Sequence, residues 1–555
     1  MLDLLIRGGT VVDGTGRVPV RADVGVAGGR IAFIDVDRTE ESGARRIIDA
    51  DGLTVAPGFI DVHTHYDAQL FWDPACTPSS LHGVTTVFAG NCGFSISPVG
   101  DDPEYLMRLL SRVEGIPLAA LEKGVPWTWR SFPDYLDAVE SSGVAVNVGV
   151  LIGHSALRRA VLGSRSHDAA VAPDALAAMR DMLGAGLGAG GMGFSSSWAG
   201  THWDGDGQPV PSRSATAREL IALAGALEDF PGTQLEFIPT NGAFEEAHLE
   251  VMTEMSLAGR ATLNWNVLIP RSFGWIDNRL HASDYASDRG AHVVGLSYPD
   301  IIRARVSFMT SAFDSIPGWG PIMALPATDK LTALVERRVE LRAGALTPEG
   351  RARRLDAMVV AETYDPANAG YRGRRLGEIA GETGQDPLDL LCDIAVADGL
   401  RTGFVPDPQA NDDEAWAARV STWTDPRVII GASDGGAHLD MLSTFDYAVR
   451  FVALQREMQV LSLAEAVRLL TDVPGRLYGL RDRGRLEPDS WADMVLFDAD
   501  SVGTGPVEWR DDLPAGAGRL YAEPTGIAHV MVNGTEIVAG GRVTGRSPGR
   551  VLRAQ

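Results

Sequence analysis

The sequence predicts an α/β protein: a (β/α)₈ TIM-type barrel with a small β-sandwich domain built from both chain ends. Two observations predict this fold. The middle of the chain alternates short apolar strands with helical stretches, and both ends contain short strands separated by glycine turns. Apolar strands that alternate with helices are typical of a parallel sheet covered by helices, and eight of them can close into a barrel. We expect the small domain in residues 1–56 and 485–555, and the barrel in residues 57–484.

Length and composition indicate a globular protein that acts on small molecules. The chain has 555 residues, 45% hydrophobic and 22% charged, with a formal net charge of −24. Such a negative charge argues against nucleic-acid or anionic-membrane partners, which require concentrated Lys and Arg. We therefore expect a small-molecule substrate, with no nucleic acid and no membrane as partner, while homo-oligomer formation stays open.

The cysteines and the N-terminus predict a cytoplasmic location. Three cysteines are too few for a disulfide framework, which favours a reducing compartment. The N-terminus lacks a basic stretch followed by an apolar segment, and no later run approaches about 18 uncharged apolar residues.

The two ends share one pattern of strands and turns. Near the C-terminus, Asn533-Gly534 lies between two β-branched runs and predicts a type I′ hairpin. We expect the N-terminal and C-terminal strands to form one domain; two unrelated β extensions are the alternative.

Eight strand candidates follow one another through the middle of the chain. They are GFIDVHTH, GVTTVFAGNC, VAVNVGVLIGHS, GMGFSSS, TQLEFIPTN, ATLNWNVL, HVVGLS and RVIIGASDGG. The spacing becomes irregular after the sixth strand, and we expect a large insertion at about 275–425 that covers the mouth of the barrel.

Polar residues that can bind a metal stand at the ends of several predicted strands. His63 and His65 end strand one, Cys92 ends strand two, and Asp434 ends strand eight. Strand ends meet at one mouth of a barrel, and alternation along a strand points both imidazoles to the same side. Imidazole, thiolate and carboxylate groups suit Zn²⁺, and a nearby carboxylate can act as general base.

Simpler explanations exist for some of these residues. Cys92 could be a small buried hydrophobic residue, and Asp434 could cap a turn. His154, at the end of strand three, could equally be a core histidine with satisfied hydrogen bonds.

At PGFIDVHTHYD, GVTTVFAGNCGFS, GHSALR and GASDGG the sequence resembles the amidohydrolase superfamily, and within it the N-acyl-D-amino-acid deacylases. The resemblance covers nearly the whole chain. It implies a (β/α)₈ barrel that hydrolyses an amide bond with bound zinc. By this resemblance His63 and His65 bind metal, Cys92 contacts it, and Asp434 is the base and touches the metal.

The sequence departs from that family at two strand ends. The family's tight zinc site also uses histidines at the ends of strands five and six, where this chain has Thr240, Asn241, Asn264 and Asn266. A lysine that bridges two metals is also missing, because the chain has only two lysines and neither lies in a predicted strand. We expect one Zn²⁺, or another divalent metal, on His63, His65 and Asp434, with Cys92 as fourth ligand.

The leading hypothesis is a metal-dependent amidohydrolase that cleaves a C–N bond of an N-acyl (D-)amino acid or related small amide. A cyclic-amide hydrolase on the same scaffold and a metal-poor, non-catalytic ligand-binding relative are the alternatives. A substrate carboxylate would need an arginine, either Arg158 or one in the insertion. The candidates for substrate binding are His154, Arg158, Asn241, Asn264, Asn266 and His438.

Overall fold

The structure is a computed structural model that describes residues 1–36, 43–100, 102–309, 313–314, 316–406 and 410–554. The chain begins with five strands. They are β1 (Leu4–Val11), β2 (Val20–Ala27), β3 (Arg30–Asp35), β4 (Ile47–Asp49) and β5 (Thr54–Pro57).

Strands and helices then alternate through the middle of the chain. These elements are β6 (Phe59–Asp61), β7 (Val84–Ala89), α1 (Pro103–Val113), α2 (Leu118–Gly124), α3 (Phe132–Ser142), β8 (Asn147–Val150), β9 (Ile152–Gly153), α4 (His154–Leu162), α5 (Pro173–Gly188), β10 (Gly193–Ser197), α6 (Ala217–Ala224), β11 (Gln234–Ile238), α7 (Glu246–Gly259), β12 (Leu263–Leu268), α8 (Phe273–Ser287) and β13 (Val293–Ser297).

A helical segment follows β13. It contains α9 (Gly320–Met323), α10 (Ala327–Glu336), α11 (Arg338–Ala345), α12 (Pro348–Arg351), β14 (Val359–Val360), α13 (Leu376–Thr383), α14 (Pro387–Ala397), β15 (Phe404–Val405) and α15 (Asp413–Thr422). It has a hydrophobic core of its own, with Phe308 and Trp319 among its buried residues. The insertion therefore starts near residue 298, after the seventh strand. The sequence prediction of about 275 was wrong at this boundary, because α8 and β13 belong to the regular alternation.

The remaining elements return to the parallel strands and then to the terminal sheet. They are β16 (Val428–Ile430), α16 (Tyr447–Met458), α17 (Leu463–Leu470), α18 (Asp472–Leu477), β17 (Met494–Phe497), β18 (Gly503–Thr504), β19 (Glu508–Arg510), β20 (Arg519–Tyr521), β21 (Pro524–Thr525), β22 (Ile527–Val532), β23 (Thr535–Ala539) and β24 (Arg542–Val543).

The strands β6 to β13 and β16 pair with one another in parallel, whereas β14 and β15 of the helical segment pair antiparallel. One sheet has the order β6-β7-β8, and a second has the order β16-β13-β12-β11-β10-β9. The two sheets meet at β8 and β9, which are separated by one residue, and at a parallel bridge between Thr64 and Gly435. The carboxyl ends of the first and last strands therefore lie side by side.

Strands from both chain ends share one sheet. Its nine strands follow the order β24-β23-β22-β17-β5-β1-β2-β3, with β4 paired to β1. Asn533 and Gly534 both have positive φ, 48° and 74°, and connect β22 to β23. This geometry is the one that a two-residue type I′ turn requires, so the predicted hairpin is confirmed.

Apolar side chains of the parallel strands and of the segment after α18 form one buried cluster. Phe88 stacks on Tyr478 of the segment after α18, with ring centroids 3.6 Å apart. The C-terminal tail packs against this cluster through Leu552, and Val551 forms a parallel bridge with Val148 of β8.

In the described ranges no helix is long and apolar enough to cross a membrane.

Candidate active site

Two histidines and a cysteine converge at the carboxyl ends of the first two strands. His63 and His65 follow β6, and Cys92 follows β7. Cys92 Sγ lies 3.4 Å from His63 Nε2 and 3.9 Å from His65 Nε2, and all three side chains are buried. Their donor atoms lie within 4.8 Å of one another, which is the spacing of ligands around a single metal ion.

Asp434 completes this cluster from the last strand of the parallel array. Its Oδ1 lies 3.2 Å from His63 Nε2 and 3.9 Å from His65 Nε2. The Asp434 side chain is 32% exposed, whereas His63 and His65 are 1% and 4% exposed. Of these groups, the carboxylate is therefore the one that a molecule entering from the mouth can reach.

Backbone hydrogen bonds fix the loop after β6 against the loop after β16. His65 N–H donates to Gly435 O at 2.7 Å, and Asp434 N–H donates to His63 O at 3.2 Å. A Cβ on Gly436 would lie 2.8 Å from the backbone of His65, so this close approach requires glycine.

Three residues of the site adopt the left-handed backbone conformation. The φ angles of Cys92, Asp434 and His438 are 56°, 52° and 47°. Non-glycine residues rarely adopt this conformation, and such strain concentrates at functional sites.

Buried carboxylates surround the cysteine. Glu236 of β11 accepts a hydrogen bond from Cys92 N–H at 2.8 Å, and Glu114, after α1, lies 3.4 Å from His65 Nδ1. Burial raises the pKa of Glu236 to about 7. Burial, together with the charges of Asp434, Asp67 and Glu236, raises the pKa of Glu114 well above its usual value. A site that gathers negative groups away from water is suited to a cation.

The imidazoles and the Asp434 carboxylate influence each other's protonation. Burial opposes charge on His63, but contact with Asp434 outweighs it, so the pKa of His63 is raised. Burial and the neighbouring His63 hold the pKa of His65 well below its usual value. Burial would raise the pKa of Asp434, but the two histidines outweigh it and hold the pKa below its ordinary range. The Asp434 side chain is therefore an ionised carboxylate at neutral pH.

Asn266 of β12 borders the same point. Its Nδ2 lies 3.4 Å from His63 Nε2 and 3.7 Å from Cys92 Sγ. Within the described residues, Asn266 Oδ1 and Glu236 Oε1 are buried without a hydrogen-bond partner. Unpaired buried oxygen atoms beside an N₂S donor set fit a site that holds a metal ion.

Two further histidines lie near the cluster. His438 is 27% exposed, and its Nε2 lies 4.0 Å from Glu114 Oε2. His202 donates or accepts a hydrogen bond with Ser197 Oγ through Nδ1 at 2.9 Å, and its electrostatic neighbours include His438, Asp434 and His63. Burial, with the charges of His438 and Arg213, lowers the pKa of His202 to about 3, so this imidazole is neutral.

The structure does not bring His154 and Arg158 to the site. His154 is fully buried and hydrogen-bonds Ser196 Oγ at 2.8 Å and Glu219 Oε1 at 2.9 Å. Arg158, also fully buried, donates to Glu219 at 2.5 Å and to the carbonyl groups of Ser166 and Asp168. Both side chains are buried and hydrogen-bonded to other residues of the protein, so the prediction that they bind substrate was wrong.

The remaining predicted substrate ligands lie at different depths. Asn264 is buried in β12, two residues before Asn266, and its side chain donates to Leu235 O at 3.0 Å. It therefore lies in the interior of the protein. Asn241 is exposed in the loop after β11 and contacts Thr201 at 3.4 Å. Of the predicted group, Asn266 and His438 are the members that the structure places beside the cluster.

Two residues of the site were missed by sequence reasoning. Glu236 is a charged residue within the apolar run LEFI, and that isolated charge in a buried strand was the signal available. Glu114 lies in a connection between helices, where its position depends on tertiary packing that no local pattern encodes.

A cavity of about 520 Å³ is lined by Gly115, which follows Glu114, and by His438. His438, from the loop after β16, lines it together with Ile116, Arg401 and Trp509. Pockets of about 300–1,000 Å³ commonly hold small-molecule ligands.

The chain is similar to known proteins over nearly its whole length. The sequence model described as the amidohydrolase family matches residues 46–538. An N-acyl-D-glutamate deacylase of Alcaligenes xylosoxydans xylosoxydans is 30% identical over 559 residues, covering 100% of this chain and 96% of that protein. A D-aminoacylase of the same organism is 29% identical over 556 residues, covering 99% and 97%.

Solved structures show the same overall fold. An N-acyl-D-glutamate deacylase from Bordetella bronchiseptica, complexed with zinc and a phosphonate inhibitor, has a TM-score of 0.66 at 26% identity over the full length of both chains. A D-aminoacylase structure has a TM-score of 0.66 at 24% identity, again over both full chains.

Proposed function

The chain belongs to the amidohydrolase family, and from this premise we propose that it is a metal-dependent deacylase that hydrolyses the amide bond of an N-acyl amino acid. The observation that carries the proposal is the convergence of His63, His65, Cys92 and Asp434 at one point. Similar proteins named N-acyl-D-glutamate deacylase and D-aminoacylase favour N-acyl-D-amino acids as the substrate class.

The scaffold that we propose is a (β/α)₈ barrel with a small β domain. The bridge between Thr64 and Gly435 supports closure of the eight parallel strands. The shared nine-stranded sheet supports a small domain formed by residues 1–56 and 485–555. The site then lies at the carboxyl ends of the strands, where enzymes of this fold carry out their chemistry.

One Zn²⁺ is the cofactor that the donor set fits best. His63, His65 and Asp434 would hold it, with Cys92 as fourth ligand. A divalent ion there supplies positive charge that polarises the amide carbonyl and lowers the pKa of water. Lys123 lies in α2 and Lys330 in α10, so a lysine that bridges two ions has no support at the strand ends.

Asp434 is the proposed general base. A water molecule's oxygen forms the new bond to the carbonyl carbon, and Asp434 accepts the proton that the water loses. The C–N bond then breaks, and Asp434 returns that proton to the leaving nitrogen. The products are a carboxylic acid and an amine. His202 and His438, at the rim, are placed to donate to the substrate.

A substrate carboxylate can meet an arginine of the insertion. Arg401 lines the cavity and lies over the Tyr364 ring at 4.1 Å. Within the described parts of the chain, it forms no ion pair with a carboxylate; its Nε donates to Asp398 O. Arg401 is one of the insertion arginines that the sequence analysis named beside Arg158 for this role. The cytoplasmic location and any homo-oligomer stay predictions.

The test is a screen of zinc-loaded enzyme against N-acyl-D-amino acids, N-acyl-L-amino acids and cyclic amides. We expect turnover of N-acyl amino acids. His63→Ala and Asp434→Ala should each lower kcat by about 10³-fold or more, because each removes a metal ligand or the base. His281→Ala, an exposed histidine of α8, is the matched control and should keep wild-type kcat. Circular dichroism checks that each variant is folded.

Two results would contradict this proposal. One is turnover of cyclic amides alone, which would make the protein a cyclic-amide hydrolase instead. The second is substantial activity in folded His63→Ala or Asp434→Ala, which would remove the proposed site.

A further inference from the structure

The cavity beside the site is built by parts of the chain that are distant in sequence. Ile116 comes from the connection between α1 and α2, Arg401 from the insertion, Met441 from the loop after β16, and Trp509 from β19. The C-terminal segment thus reaches the mouth of the parallel strands and supplies one wall of the cavity.

His438 joins this cavity to the catalytic cluster. It lines the cavity and stands four positions after Asp434 in the same loop. Its backbone N–H donates to Glu114 O, and Glu114 lies 3.4 Å from His65. A substrate whose amide bond is at Asp434 would therefore direct one of its substituents toward the cavity.

The wall that carries Trp509 is fixed to the barrel. It is the β19–β20 hairpin, in which Trp509 pairs with Leu520. Leu520 N–H donates to Leu439 O at 2.6 Å, and Arg519 donates to Thr77 O at 2.6 Å and to Asp512 at 2.8 Å. Arg519 is buried, so these bonds are shielded from water. The hairpin is held as a preformed wall.

Trp509 presents a partly exposed indole to the cavity. Its Nε1 donates to Asp511 Oδ1 at 2.8 Å, and the Arg305 guanidinium lies 5.0 Å from its ring. Arg305 is in turn held by Glu362 at 2.8 Å. Ile116 and Met441 add apolar surface to the same cavity. An indole with its polar atom already bonded offers an apolar face to a ligand.

We propose that this cavity binds a bulky apolar or aromatic group of the substrate, and that Trp509 on the β19–β20 hairpin is a specificity-determining residue. The inference rests on the proposed deacylase function. Either the acyl chain or the amino-acid side chain can supply that group, since both are substituents of the scissile amide.

The experiment compares small and bulky substrates in two series. The acyl series pairs N-acetyl-D-alanine with N-decanoyl-D-alanine, and the side-chain series pairs N-acetyl-D-alanine with N-acetyl-D-tryptophan. If the initial screen selects the other enantiomer, the L compounds replace these. The wild type should prefer the bulky member of one series in kcat/KM by about tenfold or more.

Trp509→Ala should lower kcat/KM for that bulky substrate by about 10–100-fold, and for N-acetyl-D-alanine by much less. Trp509→Phe should restore most of the preference, because it keeps an aromatic face. Val507→Ala, an exposed residue just before the hairpin, is the matched control and should keep the wild-type ratio.

A wild type without preference in either series, or a Trp509→Ala variant that keeps its preference, overturns the proposal while the deacylase function stands. If no N-acyl amino acid is hydrolysed, the deacylase function fails. The cavity assignment is then tested separately, by calorimetric binding of N-decanoyl-D-alanine and N-acetyl-D-tryptophan to the zinc-loaded protein. Tighter binding of either than of N-acetyl-D-alanine, lost in Trp509→Ala, supports the cavity assignment; equal binding overturns it.

Discussion

At the residue scale, the site combines neutral donors with carboxylates in a buried space. His63, His65 and Cys92 converge, and Glu114 and Glu236 border them without a cationic side chain at hydrogen-bond distance in the described structure. Buried carboxylates of this kind are stabilised by a positive charge, or they take up protons. Burial raises the pKa of Glu236 to about 7.

Glu236→Gln should weaken zinc binding by about 10–100-fold, because the substitution keeps a hydrogen-bond acceptor for Cys92 N–H but removes a negative charge beside the thiol. Competition with a chromophoric chelator at pH 8 measures the affinity. Glu219→Gln is the matched control, since Glu219 is a buried glutamate that bonds His154 and Arg158 instead. Equal zinc affinity in wild type and Glu236→Gln would remove this role of Glu236.

The sequence predicted the residues whose position depends on a strand end. All four lie within four residues of a strand's carboxyl end, so a parallel arrangement was enough to bring them together: His63, His65, Cys92 and Asp434. Prediction failed for Arg158, because a partner such as Glu219 becomes visible only once α4 and α6 pack together.

At the element scale, the C-terminal tail runs alongside β8 and is hydrogen-bonded to it. Leu552 N–H donates to Val148 O at 2.7 Å, Val148 N–H donates to Arg550 O at 2.9 Å, and Gly549 N–H donates to Val144 O at 2.8 Å. Leu552 also packs on the apolar cluster that contains Phe88 and Tyr478. The tail therefore covers backbone groups and apolar surface that would otherwise meet water.

Truncation after Thr544 should lower the free energy of unfolding by roughly 2–5 kcal/mol, from lost hydrogen bonds and the exposed surface around Leu552. The thermal unfolding midpoint measures this. Arg546→Ala, at an exposed tail residue, should change stability by less than about 0.5 kcal/mol. An unchanged midpoint in the truncated protein would show that the tail contributes nothing to stability.

The elements themselves were largely predictable, but two boundaries were not. The alternation of strands and helices predicted all eight strands, and Asn533-Gly534 predicted its hairpin. The start of the insertion was predicted too early, at about residue 275. The reason is that α8, which begins at Phe273, has a weak apolar pattern and was taken for part of the insertion. Strand five ends at Ile238, before Thr240 and Asn241, so the inward-facing residue is Glu236.

At the scale of the whole molecule, the C-terminal strands of the nine-stranded sheet are hydrogen-bonded to the parallel strands. Asn147 of β8 donates to Asp493 Oδ2 at 3.0 Å and accepts from Asn533 Nδ2 at 3.1 Å. Arg483 binds Asp493 in the same buried network. The C-terminal segment also supplies Trp509, which borders the cavity. One region of the chain thus contacts the parallel strands and lines the cavity.

The measurement that tests the central claim most directly is the zinc content of active, dialysed enzyme, compared with His63→Ala. One zinc per chain in the wild type, with activity lost on chelation and restored by one equivalent of Zn²⁺, is the expected result. Folded His63→Ala should retain much less zinc. Full activity in metal-free protein, or a requirement for two ions per chain, would contradict a single metal site on His63, His65, Cys92 and Asp434.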